Sequence, residues 1–279
     1  MVHTLPEGEP VLGVTSLAGE IYLLRQKERD QVEVYDVTTY CLLRCLTVPN
    51  SRGFMDMTSC PNRCVYIGDH ICECVHRLDA QGAFTQWAVN DRPQGLSINT
   101  ADNVLVTCNR VRKIKEFTSH GELKRQITLP DDVINPCHAI QTRSGQFIVC
   151  HGSRLYHDRI NRVCMMNPDG RHTGQSHGEQ PGSGIGQYNV PIRLAVAGNE
   201  CVFVADLNNC RVTLLSPTLS YTAKVVSREQ LNWRPRRLYF DTKRQILYVA
   251  DNEWNEQKAK FTAGRVVAFT VQLRDYEEF

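Results

Sequence analysis

The sequence predicts an all-β chain folded as a six-bladed β-propeller with four-stranded antiparallel blades, and three observations predict it. Six short apolar runs, each closing on a polar or small residue, recur as "EIYLLR" (Glu20 to Arg25), "CVYIGD" (Cys64 to Asp69), "NVLVTC" (Asn103 to Cys108), "QFIVCH" (Gln146 to His151), "CVFVAD" (Cys201 to Asp206) and "QILYVAD" (Gln245 to Asp251). Eleven residues before the second residue of each run stands an entry residue: Pro10, Phe54, Pro93, Pro136, Pro191 and Pro235. Helical periodicity is nearly absent. A period of about 40 to 45 residues with several short strands per unit marks a propeller blade, because one such sheet cannot bury both faces until neighbours stack on it.

The entry residues divide the chain into blades of roughly 10–53, 54–92, 93–135, 136–190, 191–234 and 235–279, all in a single domain of 1–279. Reading each blade as strands a to d, blade five gives "LAVAG", "CVFVAD", "RVTLLS" and "YTAKVVS". The turns between strands c and d carry Gly82, Gly121 and Gly170, where glycine supplies the positive φ of a tight hairpin. Blade six ends with "GRVVAFTV" and lacks an obvious fourth strand. The N-terminal segment 1–9, with "VHTLP", is therefore expected to supply it and close the ring, which removes two exposed edges at one seam.

Composition narrows the function classes. No run of about 18 apolar residues is present, and "MVHTLPEGEP" has neither a basic nor an apolar leader region, so neither a membrane span nor a secretion signal is expected. A formal net charge of +2 demands no nucleic-acid or membrane partner by itself. Twelve cysteines in a chain of this size without a leader or an N-x-[ST] sequon read as free thiols in a reducing, cytoplasmic compartment. Cys41/Cys45, Cys60/Cys64 and Cys72/Cys74 suggest metal. Cys72 and Cys74 are placed on one face of a strand, however, without a matching C-x-x-C partner, and the thiols read as small hydrophobes packed in strands. No cofactor and no metal ligand set is expected, and the chain is expected to be a monomer.

The segment "GSGIGQYNVPIRLAVAGNECVFVADLNNCRVTLLSP" resembles an NHL repeat: Gly-rich linker, aromatic, proline, inner strand, V-x-V-A-D, then N-N-x-R-[VI]. The match is good in blade five, fair in blade six and degenerate in blades one to four, so the motif covers about 80 residues while the period covers the chain. The resemblance implies a six-bladed propeller, either the binding end of a tripartite-motif protein that holds RNA or protein, or an amidating lyase with metal in its channel. No RING, B-box or coiled coil appears in this sequence, so ubiquitin ligase activity is not carried over.

The Asp closing strand b and the Arg opening strand c recur as Asp206 with Arg211 and Asp251 with Arg265; blade four offers His151 with Arg162, and blade three Cys108 with Lys113. Strands b and c are antiparallel neighbours, so these positions should meet and pair as periodic staples. Read as exposed pairs, each contributes roughly 0–1 kcal/mol. Function is expected where the repeat is broken. The b–c connections "GSRLYHDRIN" and "NEWNEQKAKFTAG" are enlarged, and the d–a connection from about Arg171 to Val190 is long. In propeller topology both kinds of connection emerge on one side of the disc. That face is expected to gather Arg110, Arg112, Arg154, Tyr156, His157, Arg159, Trp254, Lys258 and Lys260 around a mouth that also receives His138, Arg193 and Arg237, with Asp56.

Two classes of function follow. A binding platform would use the basic residues on phosphates and the aromatics on bases of single-stranded RNA, or the same anchors on a protein. A channel-centred, metal-dependent lyase or lactonase-like enzyme would need several inward oxygen or histidine ligands. The inner strands offer Asp56, Asn99 and His138, and no G-x-S-x-G, H-E-x-x-H or phosphate loop appears. The non-catalytic interaction module, binding protein or RNA through one face, is the favoured expectation.

Overall fold

A computed structural model of the chain describes residues 2–26, 31–152 and 160–273. Within them, six four-stranded antiparallel sheets form the blades of a ring. Blade one comprises strands Val11–Leu17, Glu20–Arg25, Gln31–Asp36 and Leu42–Thr47; blade two, Phe54–Cys60, Cys64–Asp69, Cys74–Leu78 and Phe84–Ala88. Blade three comprises Pro93–Ile98, Val104–Cys108, Lys113–Phe117 and Leu123–Thr128; blade four, Pro136–Gln141, Phe147–His151, Arg162–Met166 and His172–His177. Blade five comprises Pro191–Val196, Val202–Asp206, Arg211–Leu215 and Tyr221–Val226. Blade six takes Arg234–Asp241, Ile246–Asn255 and Lys260–Thr270 from the C-terminal end and Val2–Thr4 from the N-terminal end, the latter pairing Val2 with Phe269 and Thr4 with Val267. The innermost a strands contact one another in sequence around the channel, and that of blade six closes on that of blade one.

Burial explains why the blades need one another. Strands b and c are buried on both faces over most of their length, as in Val104–Cys108 and residues 163–166, whereas the outer d strands are largely exposed. The apolar core falls into six clusters, one at each blade–blade interface: Leu24, Val34, Phe54 and Ile67 join blades one and two, for example, and Phe203, Leu214, Phe240 and Val267 join blades five and six. Each such side chain contributes on the order of 1.5–3 kcal/mol when removed from water, a gain available only after the neighbouring blade has docked.

Local chemistry fits the turns. Gly82, Gly121 and Gly170 in the c–d turns have φ of 85°, 94° and 90°. All twelve cysteines are free, and seven, including Cys64, Cys108 and Cys150, are buried. Cys72 differs from expectation: it lies exposed in the b–c turn of blade two, and only Cys74 is on a strand, so the two thiols do not share a face. Two connections also differ. "NEWNEQKAKFTAG" is not a loop but a continuation of the b–c hairpin, paired as far as Asn255 with Lys260, and the first part of the 171–190 segment is the d strand His172–His177.

Candidate functional site

Two regions carry polar chemistry: the channel, and the face built from b–c turns and d–a linkers. In every a strand one residue near the start is bulged out of register with strand b, at Leu12, Met55, Gln94, Cys137, Ile192 and Arg236. A bulge frees its backbone from the ladder, and here two guanidinium groups take up all six freed carbonyls. Arg193 donates from Nη2 to Gln94 O at 3.0 Å and from Nη1 to Cys137 O at 2.9 Å and Ile192 O at 3.4 Å. Arg237 donates from Nη1 to Arg236 O at 2.9 Å, from Nε to Leu12 O at 2.5 Å, and from Nη2 to Met55 O.

The residues that directly follow these bulges form the plug that holds these groups: Gly13, Asp56, Gly95, His138, Arg193 and Arg237. Asp56 Oδ1 lies 3.2 Å from Arg193 Nη2 and 3.4 Å from Arg237 Nε, and its Oδ2 accepts from the Leu96 amide at 2.7 Å. His138 donates from Nε2 to Leu96 O at 2.8 Å and accepts at Nδ1 from the Leu194 amide, so the ring is neutral. Burial and the adjacent Arg193 push it down to about 4. Burial and the Arg193 charge likewise push Arg237 well below the usual arginine range. Asp56, His138, Arg193 and Arg237 therefore do not stand on the exposed rim expected of them; each is 5% exposed or less. Asn99 sits at the other end of its strand, donating to Glu116 and Gln141 near the a–b turn. Among the described residues no group of three or more His, Cys, Asp and Glu could hold a metal ion.

The ends of the b strands repeat a second device, and in a way their spacing hid. Asp206 and Arg211 meet at 2.8 Å, and Asp251 and Arg265 at 3.1 Å, but both carboxylates are wholly buried, so they are not the exposed pairs expected. They also anchor the incoming linker: Asp206 accepts from the Asn189 amide, Asp251 from those of Asn232 and Trp233, and Arg211 donates to Ser183, Gly184 and Gln187 carbonyls. In blades one to four the partner moves two residues along strand c. Arg25 pairs with Glu33 at 2.7 Å, His76 Nε2 lies 3.7 Å from Asp69, and His151 Nε2 lies 3.2 Å from Cys164 Sγ. In blade three Lys115 fastens the linker through Val89 O at 2.7 Å. Cys108 and Lys113 are Cα partners, as are His151 and Arg162, yet for His151 the side-chain contact is to Cys164. His76 Nε2 also lies 3.5 Å from Cys74 Sγ, yet neither thiol beside a histidine is a nucleophile: burial pushes the Cys74 and Cys164 thiols up to about 12.

The same, loop-rich face presents Arg110 and Arg112 in the four-residue b–c turn of blade three. They line a cleft of about 470 Å³ with Asn109, Val111, Ile134 and Asn135. Arg110 reaches Glu73 at 3.4 Å and Arg112 reaches Asp131 at 2.5 Å. Four of the large exposed hydrophobic residues stand on this face, on consecutive blades: Ile71, Val111, Ile134 and Ile185. Their only signal in the sequence is an aliphatic residue inside a short turn or linker, which spacing does not distinguish from its buried neighbours such as Val133.

Blade six lies across the ring from blade three, so Trp254, Lys258 and Lys260 do not join this cleft. Lys258 and Lys260 are exposed at the hairpin tip. Trp254 packs on Phe261 with ring centroids 5.0 Å apart, and Arg234 lies 5.9 Å over its ring. Arg154, Tyr156, His157 and Arg159 lie outside the described residues.

No protein-family model and no curated protein sequence matches the chain. Its fold is similar to those of solved propellers. A streptogramin B lyase superimposes with a TM-score of 0.66 at 11% identity, over 98% of this chain and 87% of that one. The virginiamycin B lyase of Staphylococcus aureus gives 0.65 at 10% identity, over 98% and 100%. The WD40 repeats of RRP9 give 0.64 at 11% identity, over 95% and 96%. At such identities the likeness is one of fold, shared here by lyases and a WD40-repeat protein, and the six-bladed β-propeller is the architecture to which the chain is assigned.

Proposed function

We propose that the chain is a non-catalytic interaction module that docks a protein partner on its loop-rich face. The observation that carries this reading is the exposure of Ile71, Val111, Ile134 and Ile185 on this face, with Val111 and Ile134 lining the Arg110/Arg112 cleft. Aliphatic tips flanked by arginines suit a protein surface, where apolar anchors are excluded from water by a polar rim. Single-stranded RNA instead calls for open aromatic faces, and Trp254 is engaged with Phe261 and Arg234. The NHL-type assignment rests on blade five, where Asp206 and Arg211 lock the Gly-rich linker. The lyase or lactonase-like reading of the channel has little support, since guanidinium groups occupy its freed carbonyls.

The test is capture of partners from a nuclease-treated extract by the intact protein and by a Val111→Asp/Ile134→Asp variant. The native chain should retain a protein partner that the variant loses, with melting temperatures matching closely, as expected for exposed turn positions. Loss of the partner on nuclease treatment would return the reading to RNA, and retention by the variant would move the site.

A further inference from the structure

The loop-rich face carries charge beside its aliphatic side chains, and contacts between its turns and linkers make it continuous from blade two to blade four. Ile71 lies over Gly53, where an added Cβ would come 2.6 Å from the isoleucine Cδ1, so Ile71 stands beside Arg52. Arg110 reaches Glu73 at 3.4 Å and so joins the b–c turns of blades two and three. The linker that holds Arg92 is tied to the same place, its Val89 amide donating to Glu73 O at 2.8 Å. Arg112 reaches Asp131 at 2.5 Å, joining the turn of Val111 to the linker of Ile134.

Two of these four arginines have no counter-ion. Arg52 and Arg92 are exposed on the linkers that enter blades two and three, and neither guanidinium has an ion pair or a hydrogen bond among the described residues. Asp69 and Asp91 do not serve them: both carboxylates are buried and accept instead from the backbone amides of Arg52 and Arg92, at 2.8 and 2.7 Å. The pairs made by Arg110 and Arg112 are open to water, so they are weak enough to be exchanged for a carboxylate held in a drier contact.

We propose, on the reading that this face docks a protein, that the docked segment is acidic: its Asp or Glu side chains accept from Arg52 and Arg92, and its aliphatic side chains lie on Ile71, Val111 and Ile134. Unpaired guanidinium groups beside apolar anchors match a segment that carries carboxylates beside aliphatic residues, and they disfavour a basic one.

The experiment selects peptides from a phage-displayed library of random dodecapeptides on the intact protein, then measures the selected peptides by fluorescence anisotropy. The comparison variants are Arg52→Gln/Arg92→Gln and Val111→Asp/Ile134→Asp. Selected peptides should be rich in Asp and Glu beside Leu, Ile or Val, and should bind more weakly as salt is raised. Arg52→Gln/Arg92→Gln should weaken them about ten-fold with an unchanged melting temperature, since neither side chain has an internal partner to lose. Peptides without acidic enrichment, or with full affinity for that variant, would overturn the acidic partner; if Val111→Asp/Ile134→Asp still abolished their binding, the docking reading would stand. Peptides indifferent to both variants, or a selection that yields none, would remove both. Displacement of the selected peptides by an oligouridylate at lower concentration than by free acidic peptide would assign the arginines to phosphate and overturn the proposal.

Discussion

Asn252, on the second strand of blade six, brackets the backbone of Val11 at the start of blade one: its Oδ1 accepts from the Val11 amide at 3.0 Å and its Nδ2 donates to the Val11 carbonyl at 2.8 Å. A side-chain amide thus imitates a strand partner where the last blade meets the first. Arg25 reinforces the same seam, donating to the carbonyls of Pro6, Glu9 and Gly264. Ring closure depends on more than the three-residue strand Val2–Thr4.

Replacement of Asn252 by alanine leaves both backbone groups of Val11 buried without partners. Each unsatisfied group costs about 1–3 kcal/mol, so Asn252→Ala should lose roughly 2–5 kcal/mol. The midpoint of urea denaturation measures it, and a shift no larger than that of an exposed substitution would contradict the role assigned to the seam.

The two kinds of ion pair in this fold should behave differently on truncation. Asp206 is wholly buried and serves Arg211, Asn209 and the Asn189 amide, so Asp206→Ala should cost about 3 kcal/mol, as expected when one member of a buried pair is removed. Glu20 and Arg44 form a bidentate but solvent-reached pair across blade one, with distances of 2.6 and 2.8 Å. Glu20→Ala should cost less than about 1 kcal/mol. Equal losses in the two variants would mean that the linker contacts of Asp206 carry no stability.

Acid should weaken the propeller before the surface carboxylates titrate. His138 and His151 are buried and neutral, each pushed down to about 4 by burial and by the nearby Arg193 and Arg162 respectively. In the unfolded chain both rings take up protons near pH 6.5, where the folded chain does not, so stability falls as pH drops from about 6.5 to about 4. The slope is at most roughly 1.4 kcal/mol per pH unit for each ring. Below that window Asp69 adds a further loss. Burial raises this carboxyl, but His76 and the amides of Cys72 and Arg52 outweigh it and hold it below the usual range. Urea midpoints between pH 7 and pH 4.5 should decline; a flat profile over that interval would refute neutral, buried rings.

The period, the entry prolines and the closing N-terminal strand were legible because each reflects a local requirement: a short buried strand, a fixed φ, an unpaired edge. Asp206 with Arg211 was legible for the same reason, since the two are Cα partners across a four-residue turn. Arg25 with Glu33 was not, because its partner stands two residues farther along strand c and only the register reveals the shift. The plug was less legible still. Arg193 reaches Gln94 across 99 positions and Arg237 reaches Met55 across 182, and neither distance leaves a trace in spacing. A basic residue three places into a strand looks like a rim residue until the bulge carbonyls that it satisfies are seen.

Gly95 supplies the sharpest check on that plug. An added Cβ there would lie 2.6 Å from Cys137 O, 2.7 Å from His138 Cδ2 and 3.2 Å from Arg193 Nη1, although the backbone itself would accept a side chain. Gly82 is the converse case, with φ of 85° and nothing within 4 Å. Gly95→Ala therefore acts through the neighbours it displaces, at about 1–3 kcal/mol, whereas Gly82→Ala acts through its own backbone at about 1–2 kcal/mol. The two are separable by a double-mutant cycle with Arg193→Lys, which removes the planar fork beside Gly95. Gly95→Ala should couple to Arg193→Lys by about 0.5–3 kcal/mol while Gly82→Ala adds independently. Additivity at both positions would show that the guanidinium does not occupy the space that glycine leaves in the channel.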